Sequence, residues 1–143
     1  MEIRIVKSGS SDYEQLVALR IKTLLEPIGV PATYIEPEKE KNDIFIGAFK
    51  NHEIIGCCVL TKKDENMVQL RQMAVRKDQQ GKGIGAGIVD FAEITARNLG
   101  YTILMMHARD PVIEFYKKCG YKIAGEQFFE VGIGHHRMEK NLK

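Results

Sequence analysis

The chain has 143 residues, 44% of them hydrophobic, with 21 Lys and Arg against 19 Asp and Glu and a formal net charge of +2. That length suits one domain over residues 1–143, able to bury most of its apolar surface without staples, and the near balance of charge gives no basic field that would make nucleic acid a default partner. No run is long and apolar enough for a membrane span or a cleaved leader, and the three cysteines, Cys57, Cys58 and Cys119, lack metal-ligand spacing, which fits a reducing cytoplasm and no metal.

Met1 to Lys7 alternates apolar and polar residues, with Ile3 and Ile5 on one face, and predicts a first strand at an edge or half buried. Ser10, Ser11 and Asp12 offer a helix cap. From Tyr13 to Leu25 the residues Tyr13, Leu16, Val17, Ile21, Leu24 and Leu25 recur at three- and four-residue steps, the mark of an amphipathic helix packed on a sheet. Pro27, Gly29, Pro31 and Pro37 then interrupt any long helix. Glu26 to Asp43 therefore reads as a charge-rich connection, a lid on the substrate side or a plain surface connector, with Tyr34 and Ile35 as anchors. Ile44 to Phe49, Ile54 to Thr61 and Met67 to Val75 are three β-rich runs joined by short polar turns, which predicts an antiparallel meander. Gly56 marks a bulge or a close approach within it, and the adjacent Cys57 and Cys58 point to opposite faces as structural fillers.

The stretch Arg76 to Gly87 is polar and then glycine-rich. Gly81, Gly83, Gly85 and Gly87 lie where the following helix exposes its unpaired N–H groups, which makes an anion seat. Lys82 adds a mobile positive charge, with Arg76 and Lys77 close by. A P-loop is unlike this stretch, because no Gly-x-x-x-x-Gly-Lys-Ser/Thr string occurs. A dinucleotide fingerprint, Gly81-x-Gly83-x-x-Ala86, is formally present, but Arg76 to Gln80 separate it from its strand and the next strand ends without a ribose-binding acid. The helix carries Ile84, Ile88, Phe91, Ala92 and Thr95 on one stripe and ends at Gly100. Thr102 to Ala108, TILMMHA, predicts a strand covered on both faces and parallel to Met67–Val75 through a right-handed crossover. Asp110-Pro111 starts a helix, with Asp110 as its cap, that ends at Cys119-Gly120. Tyr121 to Gln127 and His135 to Glu139 predict the last two strands, linked by FFEVGIG.

Two motifs in register carry a resemblance. Gln80-x-x-Gly83-x-Gly85, after an LRQMAV strand and before an amphipathic helix, resembles the pyrophosphate loop of the GNAT superfamily of acyl-CoA-dependent N-acyltransferases. Glu114-Phe115-Tyr116-Lys117-Lys118-Cys119-Gly120-Tyr121 is similar to the second signature of that family, and the pair spans Val68 to Tyr121. The resemblance implies an α/β (α+β) fold: a mixed, mostly antiparallel central sheet of about six or seven strands with flanking helices and a parallel splayed pair at the acyl-CoA site. It implies acetyl-CoA as acyl donor, with Gln80, Gly81, Lys82, Gly83, Ile84, Gly85 and Ala86 at the pyrophosphate and Met73, Ala74 and Val75 along the acyl-pantetheine arm. Tyr116 matches the tyrosine that gives a proton to the departing thiolate. Arg109 stands where many relatives have Asn or Gln, and is grouped with the donor-binding residues.

The same resemblance implies a primary amine acceptor, a small molecule or a protein lysine, and pairing of two copies as domains of this family often show. An attacking amine must lose a proton, and two sets compete for that role: His107 at the end of its strand, or Glu130, His135 and His136, of which a paired Glu130 and His135 could orient the amine and accept its proton. Gly125-Glu126-x-Phe128-x-Glu130-x-Gly132-Ile133-x-His135-x-x-Met138 resembles the C-terminal pattern of a small ElaA-like subgroup, where it closes the acceptor pocket; the usual proline before the histidine is Gly134 here. Cys119, at a helix C-terminus where the dipole opposes a thiolate, is not needed as a nucleophile. A non-catalytic acyl-CoA binding module and a dinucleotide-binding domain are the competing readings.

Overall fold

The computed structural model describes all of residues 1–143. Its centre is a sheet of eight strands: β1 (Glu2–Val6), β2 (Ile44–Lys50), β3 (Glu53–Lys62), β4 (Met67–Val75), β5 (Ile103–Arg109), β6 (Lys122–Ile123), β7 (Phe128–Glu130) and β8 (Ile133–Asn141). The spatial order is β1-β2-β3-β4-β5-β8-β6, with β7 also paired to β8. Four helices flank it: α1 (Ser11–Arg20), α2 (Pro37–Glu40), α3 (Ile84–Asn98) and α4 (Ile113–Lys118). Every pairing is antiparallel except β4 with β5, which is parallel because α3 carries the chain back across the sheet. The expected mixed, mostly antiparallel sheet with one parallel pair is the architecture observed.

Alternation along the strands sends side chains into two cores. One, under α3 and α4, holds twenty buried residues, among them Ile46, Cys58, Ile88, Leu104 and Tyr116. The other, under α1, holds ten, among them Leu16, Phe45, Cys57 and Val59. Cys57 and Cys58 thus face opposite ways, both fully buried, and burial pushes the Cys57 thiol up to about 12. Gly56 sits against α3: a Cβ there would lie 2.7 Å from Ile88 Cδ1, so close approach is what excludes a side chain. Between β2 and β3, Asn51 and His52 both take left-handed backbone conformations, as a two-residue hairpin turn requires.

Local expectations at α1 and α3 hold. The Ser10 hydroxyl accepts from the Tyr13 N–H and caps α1; α3 ends at Gly100 with φ +90°. Four differ. The helix from Tyr13 widens after Arg20 into a π-turn over Ile21–Leu25, then tightens to a 3₁₀ turn over Glu26–Ile28. Tyr34 does not anchor the connection that follows: it is half exposed, whereas Ile35 is buried. Only Lys122–Ile123 of the strand expected at Tyr121 to Gln127 pairs, and the expected link FFEVGIG itself supplies β7 and the turn into β8, through Val131 at φ +46° and Gly132 at φ +75°. That gives eight strands where six or seven were expected. Asp110 caps nothing; its carboxylate accepts from His136 Nδ1 at 2.7 Å and from Gln127 Nε2.

Candidate active site

β4 and β5 pair from Met67↔Ile103 to Leu70↔Met106 and then part. A bulge in β4 drives the separation. Opposite β3, Val59 pairs with Arg71 and Cys57 with Ala74, so Gln72 and Met73 together face Cys58. Gln72 takes φ +53°, which costs a non-glycine residue on the order of 1–3 kcal/mol. A buried polar network holds it there. Arg20 Nε donates to Gln72 Oε1 at 3.3 Å, while the Arg20 guanidinium forks onto both oxygens of Glu40 at 2.8 and 3.1 Å. The Tyr13 hydroxyl donates to the same carboxylate at 2.9 Å. Burial works to raise the Glu40 carboxyl, but the Arg20 and Tyr13 bonds outweigh it and hold it below the usual range; burial and Glu40 push Tyr13 up to about 12. Sequence reasoning missed this network. Its signal was Arg20 itself, a charge seven residues from Tyr13 on the apolar stripe of α1.

At the C-terminal end of β4, Gln80 Nε2 donates to Val75 O at 3.0 Å and folds the glycine loop back on its strand. Gly81 and Gly83 have φ +78° and +81°, and a Cβ on either would meet nothing within 4 Å. Backbone conformation selects glycine there, and open space lies in front of it. Gly83 caps α3 without a side-chain bond, and the first helical bond runs from Gly87 N–H to Gly83 O. The N–H groups of Ile84, Gly85 and Ala86 are therefore left for an anion. Gly85 also lets α4 close in, with Phe115 Cζ 3.2 Å from where its Cβ would be. Lys82 is exposed and in no ion pair among those formed. Arg76 is not available beside it: its guanidinium is taken by Asp78 at 2.7 and 3.1 Å and by Glu53 at 3.4 Å.

Loop and splay open on one cavity of about 980 Å³. Of the predicted site residues, Met73, Ala74, Val75, Gln80, Gly81, Gly83, Ile84, Gly85, Ala86, His107, Arg109, Tyr116, Glu130 and His135 line it, and Lys82 does not. Tyr116 is 5% exposed and packs edge-on against Phe115, yet its hydroxyl makes no side-chain hydrogen bond within the protein. Burial raises it well above the usual phenol value, so it keeps its proton at neutral pH.

His107, Glu130 and His135, drawn from both candidate sets, form one cluster. β8 pairs with β5, Arg109↔His135, and β7 folds back onto β8, Glu130↔Ile133, which brings Glu130 to His107. His107 Nδ1 lies 3.0 Å from Glu130 Oε2, and His135 Nε2 lies 3.9 Å from Glu130 Oε1. Phe128 meets His107 edge-on and stacks on His135. Since a carboxylate only accepts, His107 carries a hydrogen on Nδ1, and in the neutral imidazole the lone pair is then on Nε2. His135 Nδ1 donates to Ile133 O at 2.7 Å, which turns Nε2 toward Glu130. His136 points elsewhere, to Asp110. Cys119 stays off the cavity, its thiol raised by burial and by Glu93.

The sequence matches the acetyltransferase (GNAT) family over residues 13–121. YjcF of Bacillus subtilis, described as an uncharacterised N-acetyltransferase, is 24% identical over 138 residues, 96% of this chain and 98% of its own. Among solved structures, Escherichia coli ElaA superposes with a TM-score of 0.85 at 18% identity, covering 98% of this chain and 99% of its own. A GNAT family acetyltransferase from Elizabethkingia anophelis with acetyl-CoA bound superposes with a TM-score of 0.76 at 22% identity, over 98% and 97% of the two chains. At these identities the structural likeness shows the fold.

Proposed function

The chain belongs to the acetyltransferase (GNAT) family, and from that premise we propose that residues 1–143 form one N-acetyltransferase domain that moves the acetyl group of acetyl-CoA to a primary amine by direct attack in a ternary complex. One observation carries the reading: a single cavity whose wall holds the unpaired amides at the start of α3, the Tyr116 hydroxyl and the His107–Glu130–His135 cluster. The acetyl-CoA bound to the Elizabethkingia relative supports the choice of donor.

The loop fits a pyrophosphate: the amides of Ile84, Gly85 and Ala86 and the helix dipole attract its oxygens, and the free Lys82 ammonium adds charge at the rim. Beyond the bulge, Met73–Val75 have lost their β5 partners, and those of their backbone groups that β3 and Gln80 do not take are left to bond an extended amide-bearing arm. An N–H of this stretch would also stabilise the oxyanion formed at the acyl carbonyl. His107 Nε2, oriented by Glu130, takes the proton of the attacking amine. Tyr116 donates its phenolic proton to the departing sulfur. No covalent acyl-enzyme is required, and neither buried Cys57 nor Cys58 nor the raised Cys119 thiol is suited to form one.

Acetyl-CoA titration of wild type and Tyr116→Phe, followed by thiol release with an amine panel, tests the assignment. Binding should persist in the variant, while turnover falls by about 10²–10⁴. Unchanged turnover would remove Tyr116 from the acid role, and binding without acetylation of any amine would favour an acyl-CoA sensing module.

A further inference from the structure

The charge lining the cavity is lopsided. Its formally charged side chains are Glu130, Arg71 and Arg109, one acid against two bases. Glu130 is engaged by His107, and Arg71 is paired with Asp43 at 3.5 Å. Arg109 has no carboxylate partner; a single N–H, from Nη2, donates to Leu24 O at 3.3 Å, and no other protein group bonds the guanidinium. A half-buried guanidinium without a counter-ion, on the wall of a cavity, is a site for an anion.

The anion is not the donor's pyrophosphate. Along β5, Leu104, Met106 and Ala108 face the core under α3 and α4, so His107 and Arg109 share the opposite face, the one covered by α1. The bond to Leu24 holds Arg109 against the segment that follows α1, whereas the glycine loop opens at the start of α3. As neighbours two positions apart on a strand, His107 and Arg109 have Cα atoms roughly 7 Å apart. They can address an amine and a carboxylate carried by one small molecule. The segment that follows α1 and the β7–β8 turn add a mostly apolar lining, Leu24, Leu25, Ile28, Val30 and Val131 with Thr23 and Tyr34 among them.

We infer that the acceptor is a primary amine that also bears a carboxylate, an amino acid with an apolar side chain in chemical class, with Arg109 binding the carboxylate while His107 and Glu130 receive the amine. The inference deepens the proposed function and rests on its assignment of the amine side of the cavity. Polycationic acceptors are disfavoured, because the one lining carboxylate, Glu130, is held by His107, while Arg109 carries a positive charge without a carboxylate partner.

The test pairs each amine with its decarboxylated counterpart: L-leucine with isoamylamine, L-phenylalanine with phenethylamine, and spermidine as the polycation, all assayed with acetyl-CoA. The corresponding products, N-acetyl-L-leucine and N-isoamylacetamide, are titrated into the protein–CoA complex, which reads the site without turnover. Carboxylate-bearing members should be favoured about tenfold or more in kcat/KM and in product affinity. Arg109→Gln should erase that preference and leave acetyl-CoA affinity unchanged. Equal binding of the two products, an undiminished preference in Arg109→Gln, or spermidine as the best acceptor overturns the inference. Loss of acetyl-CoA affinity in Arg109→Gln does so too, by returning Arg109 to the donor. Selective product binding with no acetyl transfer to any amine would instead overturn the catalytic reading and leave the carboxylate site standing.

Discussion

Glu40→Gln separates the buried network from the many surface ion pairs. Arg20 and Glu40 are 1% and 5% exposed, and the substitution leaves the guanidinium buried without its countercharge. Breaking one side of such a pair costs about 3–5 kcal/mol. At an unfolding entropy typical of a chain this long, each kcal/mol shifts Tm by about 3 °C, so the midpoint should fall by about 10–15 °C in a thermal scan followed by circular dichroism. Glu36→Gln, which breaks an exposed pair with Lys39, is the control and should cost less than about 1 kcal/mol. The pH dependence has a definite sign. Because the folded Glu40 carboxyl is held below its ordinary value of 4.5, its contribution is fully present above that value and is lost as pH falls through the folded one. Wild type should therefore lose its advantage over Glu40→Gln as the solution is acidified. Jointly replacing Arg20 and Glu40 with Met and Leu should recover most of the loss. A Tm for Glu40→Gln within about 2 °C of wild type, or an advantage that grows on acidification, would refute the argument.

Gly83→Val forces a β-branched residue into φ +81° at the anion seat, and calorimetry should show acetyl-CoA affinity reduced about tenfold or more with the fold retained. Gly134→Ala would bring a Cβ to 2.6 Å from Asp110 Oδ2 and 2.7 Å from Gln127 Nε2, both ends of side chains that can swing aside, so the variant should lose the Gln127–Asp110 bond while its denaturant midpoint stays close to wild type. Cys119→Ala should keep turnover within about twofold; abolished turnover in a folded variant would replace direct attack with an acyl-enzyme.

The parts of the fold that announce themselves in sequence are those whose cause is local. The apolar runs of β2 to β5, the Ser10 cap and the Gly81–Gly85 loop each follow from residues within one turn or strand of one another. The parts that stay hidden depend on distant chain segments. His107 and Glu130 are 23 residues apart and meet because β8 lies on β5 and β7 on β8. β7 itself turns into β8 through a valine at positive φ, a choice that turn chemistry does not predict. Arg20 and Glu40 flank a proline-rich connection, and periodicity marks Arg20 as misplaced without naming its partner. At Gly134, a departure from the ElaA-like pattern, the side-chain ends of Asp110 and Gln127 lie where a Cβ would be, a contact between segments that only the folded chain shows.

The short parallel seam between β4 and β5 has a consequence for how the chain assembles. Residues 2–75 form one run of antiparallel neighbours and residues 103–141 another, and the strand ladder joins them through four residue pairs alone. Hairpins close in microseconds, whereas parallel rungs wait for the whole crossover to be laid down. The cleft has one wall from each run. It comes into being when the seam closes, so a refolding chain regains most of its strand content before it regains a place for either substrate.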